Sequence, residues 1–248
     1  MHHMTGTNVP PDLRRLWRVP AATGLGRPAE LDVDRVLGAA LDLADRHGLP
    51  GVTLPKVAEA LGVTKMALYR YVGSKDELLV LLADHAMPPP PEPTDGPWRP
   101  ALHAWAEGNR EVYRLHPWLA RVPVAGPPGG PNAIAWLDAA LRALRDTALD
   151  WAEKVGVVLL LGGWVRQAST LDHGFATGRG DRAQAEVERA YGRALAELVE
   201  PGRFPEAARL FASPAFEEPA AEDPDFRFGL DVLLDGVAAR IAAAEARG

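Results

Sequence analysis

The sequence predicts an all-α chain in two parts. A small N-terminal three-helix unit with a helix-turn-helix is followed by a larger helical domain. Three observations carry that reading. Apolar residues recur at helical period over most of the chain, and no alternating strand pattern of useful length competes with them. Two short helical segments meet across one glycine, Gly62. A proline cluster, MPPPPEPTDGPW from Met87 to Trp98, then stops the helical pattern.

The elements follow in order. Residues 1–30 read as a flexible basic arm rather than a helix, because residues 5–30 are rich in Pro and Gly. The arm carries Arg14, Arg15, Arg18 and Arg27 around Leu16 and Trp17. It is either a loose tail or an arm that orders on a surface such as DNA. From Asp32, a cap, the residues Val33, Val36, Leu37, Ala40, Leu41 and Ala44 form one apolar stripe, stopped by Gly48 and Pro50. Thr53 caps a second helix with Pro55 in its first turn, where a missing N–H costs nothing. Gly62 breaks it, and Thr64 caps a third helix ending near Val72. Ser74 opens a fourth, and Glu77 three residues on completes a capping box. The expected domains are therefore 31–86, a proline-rich linker at 87–98, and 99–248. Further helices are expected at 99–115, 131–147, 150–173, 182–200 and 226–246, with a shorter one near 205–211. Loops are expected at 126–131 and 174–180.

Composition narrows the function. The formal charge is −6, yet residues 53–75 carry Lys56, Lys65, Arg70 and Lys75 against Glu59 alone. A face that meets phosphate is expected there. The chain has no cysteine, which excludes disulfides and thiol chemistry and fits a cytoplasmic location. Its most apolar run, Val155 to Val165, is eleven residues, against about 20 for a bilayer span, so no membrane partner is expected. HExxH, GxSxG and P-loop patterns are absent, and His85, His103, His116 and His173 are scattered, so an enzyme is not expected.

In the third helix, Leu68 and Val72 share one face and fill a small core. Lys65, Met66, Ala67, Tyr69, Arg70 and Tyr71 are left mostly outward or at the edges. A helix fits the major groove of B-form DNA. There Arg70 donates to guanine, Met66 and Ala67 meet thymine methyls, and Tyr69 and Tyr71 pack on the backbone. Lys75 meets a phosphate beside the amides of its helix N-terminus, with Thr53 and Lys56 on the flank. The alternative for either tyrosine is a place in the core.

The larger domain holds Trp98, Trp105, Trp118, Trp136, Trp151 and Trp164. His103, Trp105, Asn109, Trp136, Trp164 and Gln167 are candidates to line a pocket for a small, largely apolar effector. The alternative is plain packing. Two apolar stripes are candidates for a homodimer interface. One is Val155, Leu159, Gly162 and Gly163. The other is Phe226, Leu230, Leu233, Val237 and Ile241. The alternative is that both stripes face their own core.

Residues 33–82 resemble the N-terminal domain of the TetR family of bacterial transcriptional regulators. The likeness rests on VTLPKVAEALGVTKMALYRYVGSKDELL, with Val57-Ala58, Leu61-Gly62-Val63, Leu68-Tyr69 and Lys75-Asp76-Glu77-Leu78 in register. HPWLA at 116–120, GPNAIAWLDAALRAL at 130–144 and FRFGLDVLLDGV at 226–237 resemble the tetracycline-repressor-type C-terminal domain. The resemblance implies base contacts from Lys65, Met66, Ala67 and Arg70. It implies backbone contacts from Thr53, Tyr69, Tyr71 and Lys75. It further implies a homodimer on a double-stranded palindromic operator, repression by default, and release by a small-molecule effector through the fourth helix and the linker. Tyr71 stands where the family often has His, so the operator sequence is not carried over. The family's metal-assisted drug site has no clear match, so neither metal nor cofactor is expected. A regulator controlled by a protein partner, or by no effector, is the alternative.

Overall fold

The computed structural model describes residues 9–19, 31–92, 96–124, 126–217 and 224–247. Their regular structure is helical: α1 (Pro11–Leu16), α2 (Val33–His47), α3 (Leu54–Leu61), α4 (Lys65–Val72), α5 (Lys75–His85), α6 (Trp98–Leu115), α7 (Pro131–Ala143), α8 (Trp151–Arg179), α9 (Gln184–Leu198), α10 (Pro205–Phe211) and α11 (Pro224–Glu245). Short 3-10 turns lie at Leu49–Gly51, Pro117–Arg121 and Pro214–Phe216.

Helices α2 to α5 form the N-terminal bundle, and side-chain caps set their starts. Asp32 accepts from the Arg35 amide at 2.7 Å, Thr53 from Lys56 at 3.4 Å, Thr64 from Ala67 at 3.3 Å and Ser74 from Glu77 at 3.0 Å. Each satisfies a donor that the first helical turn leaves open. Gly62 ends α3 at φ +66°, a left-handed conformation that costs a side-chain-bearing residue about 1 kcal/mol or more. That turn sets α4 against α3. Val36, Leu37, Val52, Val57, Leu68, Val72, Leu78 and Leu82 close the core from all four helices and the turn.

Three local expectations are corrected. The capping box at Ser74 is half formed, because the Glu77 carboxylate turns to the Arg15 guanidinium. Residues 11–16, read as part of a non-helical arm, are the helix α1. Pro11 stands in its first turn and Leu16 is buried against the bundle. Residues 1–8 and 20–30, with Arg27, lie outside the described residues. Helix α8 does not end before Gly174 but runs to Arg179. Glycine only weakens a helix, by about 1 kcal/mol relative to alanine, and the side chains that follow keep it going.

In the C-terminal domain α8 is the spine, with α6, α7 and α11 packed on it. Leu102, Ala106, Ala140, Leu144, Leu161, Val165, Leu230 and Leu234 fill the centre. Helices α9 and α10 and the turn Pro214–Phe216 pack on one another at the side. Phe211 and Phe216 stack with centroids 5.4 Å apart, and Tyr191 meets both edge to face at 5.8 Å. Among these three elements only Gly192 is fully buried.

Two aspartates join the domains. Asp45, near the end of α2, accepts from Trp118 Nε1 at 2.7 Å and lies 2.7 Å from His116 Nδ1. Asp84, near the end of α5, is 9% exposed and sits at the start of α7. It accepts from the Ala133 amide at 2.9 Å and the Asn132 amide at 3.4 Å, while Asn132 Nδ2 donates to the Asp84 carbonyl at 2.9 Å. The α7 N-cap, Gly130, has no side chain to do this work, so a residue of the other domain does it. The approach requires glycine: a Cβ there would stand 2.1 Å from Asp84 Oδ1. Gly130→Ala is therefore expected to displace the carboxylate and lower the unfolding free energy by about 1–3 kcal/mol, read from urea denaturation. An unchanged midpoint would show that the α7 amides find other partners without cost.

Candidate nucleic-acid interface

Helix α4 is divided along its length. Leu68 and Val72 are fully buried. Opposite them Lys65, Met66 and Arg70 are exposed, Tyr69 is at the exposed edge, and Ala67 and Tyr71 are half-buried. Met66 is 73% exposed, a large apolar side chain without cover on a short helix. The Lys65 ammonium lies 5.7 Å from the centre of the Tyr69 ring, which steadies both side chains on one face. Helix α4 carries no acidic residue. Beside it, Glu77 is occupied by Arg15.

The flank follows from the caps. Lys75 is exposed in the first turn of α5 and Lys56 in the first turn of α3. Thr53 is half-buried, with its hydroxyl turned to the Lys56 amide. The first turn of α5 offers open amides beside Lys75, a combination suited to phosphate, whereas α3, with Pro55 and with its Lys56 amide on Thr53, offers the Lys56 side chain alone. Tyr71 also packs on the bundle core.

The six candidate effector residues differ in exposure. Trp105, Asn109 and Trp136 are buried, His103 and Trp164 are half-buried, and Gln167 is exposed. Trp105 and Trp136 meet edge to face with centroids 6.0 Å apart. Trp105 Nε1 donates to the Trp136 carbonyl at 2.9 Å, and Trp136 Nε1 to the Pro88 carbonyl at 2.7 Å. These two rings therefore tie α6, α7 and the proline segment together. Trp164 differs: its Nε1 is buried without a protein partner, and its ring fills the space over Gly229 of α11.

The sequence reading overlooked Arg110. It is buried beside Asn109, donates to Asp172 of α8 at 2.6 Å, and stacks 4.1 Å from the centre of the Phe226 ring. An arginine on the apolar side of α6 was the available signal. Nearby, burial pushes the Tyr113 phenol above its ordinary pKa, against the opposing pull of Arg166.

The interface candidates divide. Phe226, Leu230, Val237 and Ile241 are buried in the protomer's own core, and Leu233 packs against it, so that stripe of α11 faces inward. A helix stripe marks a buried face without saying what buries it. The outer face of α11 instead carries Phe228 and Val232. On α8, Val155, Leu159 and Gly163 are exposed with Trp151 and Leu160, and Gly162 is half-buried near Trp105. Between the two helices lies an open, mainly apolar groove of about 440 Å³ that includes Leu160, Val232 and Leu233, with Glu153 and Arg240 among its lining residues.

Among the described residues no three His, Asp or Glu side chains come together as a metal site. No described helix is long and apolar enough to cross a membrane.

Residues 36–82 match the family of bacterial regulatory proteins called tetR, and residues 90–241 match the tetracycline-repressor-like C-terminal domain. The chain is 36% identical to the HTH-type transcriptional repressor DrrR1 of Streptomyces coeruleorubidus over 95% of this chain and 87% of that one. It is 30% identical to the class A tetracycline repressor protein from transposon 1721 in Escherichia coli, over 85% of this chain and 92% of that one. Its fold is similar to that of the Streptomyces coelicolor TetR family protein ActR in complex with actinorhodin. That match has a TM-score of 0.72 and 26% identity, covering 86% of this chain and 98% of that one. The helix-turn-helix with its exposed α4 face, the helical domain joined to it through Asp45 and Asp84, and these likenesses together make the chain a member of the TetR family of transcriptional regulators, DNA-binding proteins rather than enzymes.

Proposed function

We propose that the chain is a ligand-responsive regulator, a repressor by default, that binds a palindromic operator as a homodimer and leaves it when a small, largely apolar effector binds. The observation that carries this is the division of α4, with one face locked into the bundle and the other presenting Lys65, Met66 and Arg70 to solvent, with Ala67 half-buried between them. These four residues read bases. Thr53, Lys56, Tyr69, Tyr71 and Lys75 hold the backbone.

One α4 reads few base pairs, so two copies on a twofold site are needed, with their helices roughly 34–36 Å apart. The exposed apolar faces of α8 and α11, with Val155, Leu159 and Gly163 joined by Leu160, Phe228 and Val232, supply the twofold surface. Charged faces at these positions would have argued for a monomer.

The effector region is the aromatic interior around Trp105, Asn109, Trp136 and Trp164, with His103 at its margin. ActR bound to actinorhodin and the repressor DrrR1 are relatives consistent with this reading. An effector releases DNA only through its preference between two arrangements of the bundle on the C-terminal domain. The polar ties at Asp45, Asp84 and Pro88 are where such arrangements would differ.

The test is a gel shift at fixed salt with the DNA flanking the chain's own gene, backed by selection from random duplexes. Arg70→Ala is expected to weaken specific binding by about 1–3 kcal/mol and to relax the preference at one base position. Lys75→Ala is expected to weaken all sequences alike and to reduce the salt slope by about one per subunit. If wild type selects no sequence, the helix-turn-helix reading fails. For the dimer, Leu159→Glu alters a side chain that is 67% exposed in the protomer. It is expected to leave the fold intact and to give a monomer in sedimentation, with operator binding lost. A variant that still sediments as the wild type moves the interface elsewhere.

A further inference from the structure

We propose that residues 11–18 are a strap that fixes the recognition helix α4 relative to the C-terminal domain, with Arg15 and Trp17 as its positioning residues. The proposal rests on the operator-binding reading above and goes beyond it. The strap lies before residue 36, outside the stretch that matches the family.

The strap touches three separate parts of the molecule. Arg15 makes a two-point ion pair with Glu77 in the first turn of α5, with Nη2 2.8 Å from Oε2. Arg18 donates to Asp34 of α2 through Nη2 at 2.9 Å and Nε at 3.1 Å. Trp17 Nε1 donates to the Gly129 carbonyl at 2.8 Å, across 112 residues of sequence. Leu13 packs at the same glycine, 3.2 Å from where its Cβ would be. Leu16 anchors the segment in the bundle core.

These contacts close a frame around α5. Gly129 precedes Gly130, the residue against which the Asp84 carboxylate rests. Asp84 thus holds the last turn of α5 to the start of α7, and the strap holds its first turn to the loop before α7. A helix tied to a second body at one end pivots freely, whereas one tied at both ends pivots over a smaller range. Only Gly73 and Ser74 separate α4 from α5, and the two helices pack on each other, so a movement of α5 carries α4 with it. The strap therefore narrows the range of spacings that two recognition helices adopt.

A strap that merely stabilised the fold would change overall affinity, whereas a positioning strap changes spacing tolerance. The operator selected by wild type is compared with duplexes that have one base pair inserted or removed at the centre, a shift of about 3.4 Å. Wild type is expected to lose about tenfold or more in affinity. Arg15→Met and Trp17→Phe are expected to lose threefold or less, roughly, with dimer mass and melting temperature unchanged. Trp17 is 49% exposed, so Phe keeps its packing and removes only the donor. The charge swap Arg15→Glu with Glu77→Arg is expected to restore the wild-type penalty. Variants that keep the full penalty overturn the proposal, whatever happens to their overall affinity.

Hydrogen exchange of the free protein reads the strap without DNA. Both variants are expected to quicken exchange at residues 75–80 and 131–136 by about tenfold. Unchanged rates there overturn the strap. A wild type indifferent to half-site spacing, with exchange quickened in the variants, counts instead against the twofold operator alone.

Discussion

Asp84 carries a buried carboxylate to the first amides of a helix that belongs to another domain. Taking that charge out of water is costly unless donors replace the lost hydration, and the open N-terminus of α7 supplies them together with its dipole. The rest of the architecture is built out from this contact. It fixes where α5 ends, and so where the proline segment begins. That segment gives its Pro88 carbonyl to Trp136, whose own carbonyl takes the indole of Trp105 on α6. One line of hydrogen bonds thus runs from the DNA-reading bundle through the linker into the C-terminal core. Such bonds are directional, so the join has a defined geometry where a purely apolar seam could slide.

Electrostatics work locally in this protein. An acidic chain binds a polyanion only if its negative charge stands away from the contact face. Two features serve this: α4 has no carboxylate, and the nearby Glu77 is paired with Arg15, which leaves Asp76 as the exposed carboxylate in the first turn of α5. The hydrogen bond to Glu77 also holds Arg15 above its ordinary pKa, so its guanidinium stays charged. Acidic residues elsewhere keep nonspecific attraction to DNA weak.

Much of the N-terminal bundle was legible because its signals are local. Asp32, Thr53, Thr64 and Ser74 cap their own helices, and Gly62 supplies a backbone angle that its neighbours cannot. Helix α1 was not legible. Six residues do not hold a helix alone, and what orders them is tertiary: Leu16 in the core, Arg15 on Glu77, Trp17 on Gly129. The half-made capping box at Ser74 has the same cause, since Glu77 is taken by a residue 62 positions away. In the C-terminal domain the periodicity of α11 was legible, and its direction stayed open between the protomer's own core and a partner. Phe226, Leu230, Val237 and Ile241 form a stripe whether the neighbour is the same chain or another. Likewise tryptophan abundance did not separate Trp105 and Trp136, which bond to carbonyls, from Trp164, whose indole N–H is left over.

The appendage of α9, α10 and the turn at 214–216 has another consequence. Its aromatic trio is a miniature core, sealed by Gly192 against Phe216 and joined to α8 through few contacts. Cooperativity follows contact density, so this unit is expected to melt as a foldon of its own, below the global transition and without loosening the helices it leaves. A protein built this way has a part that can unravel and re-form within the life of one folded molecule while its helix-turn-helix bundle is undisturbed.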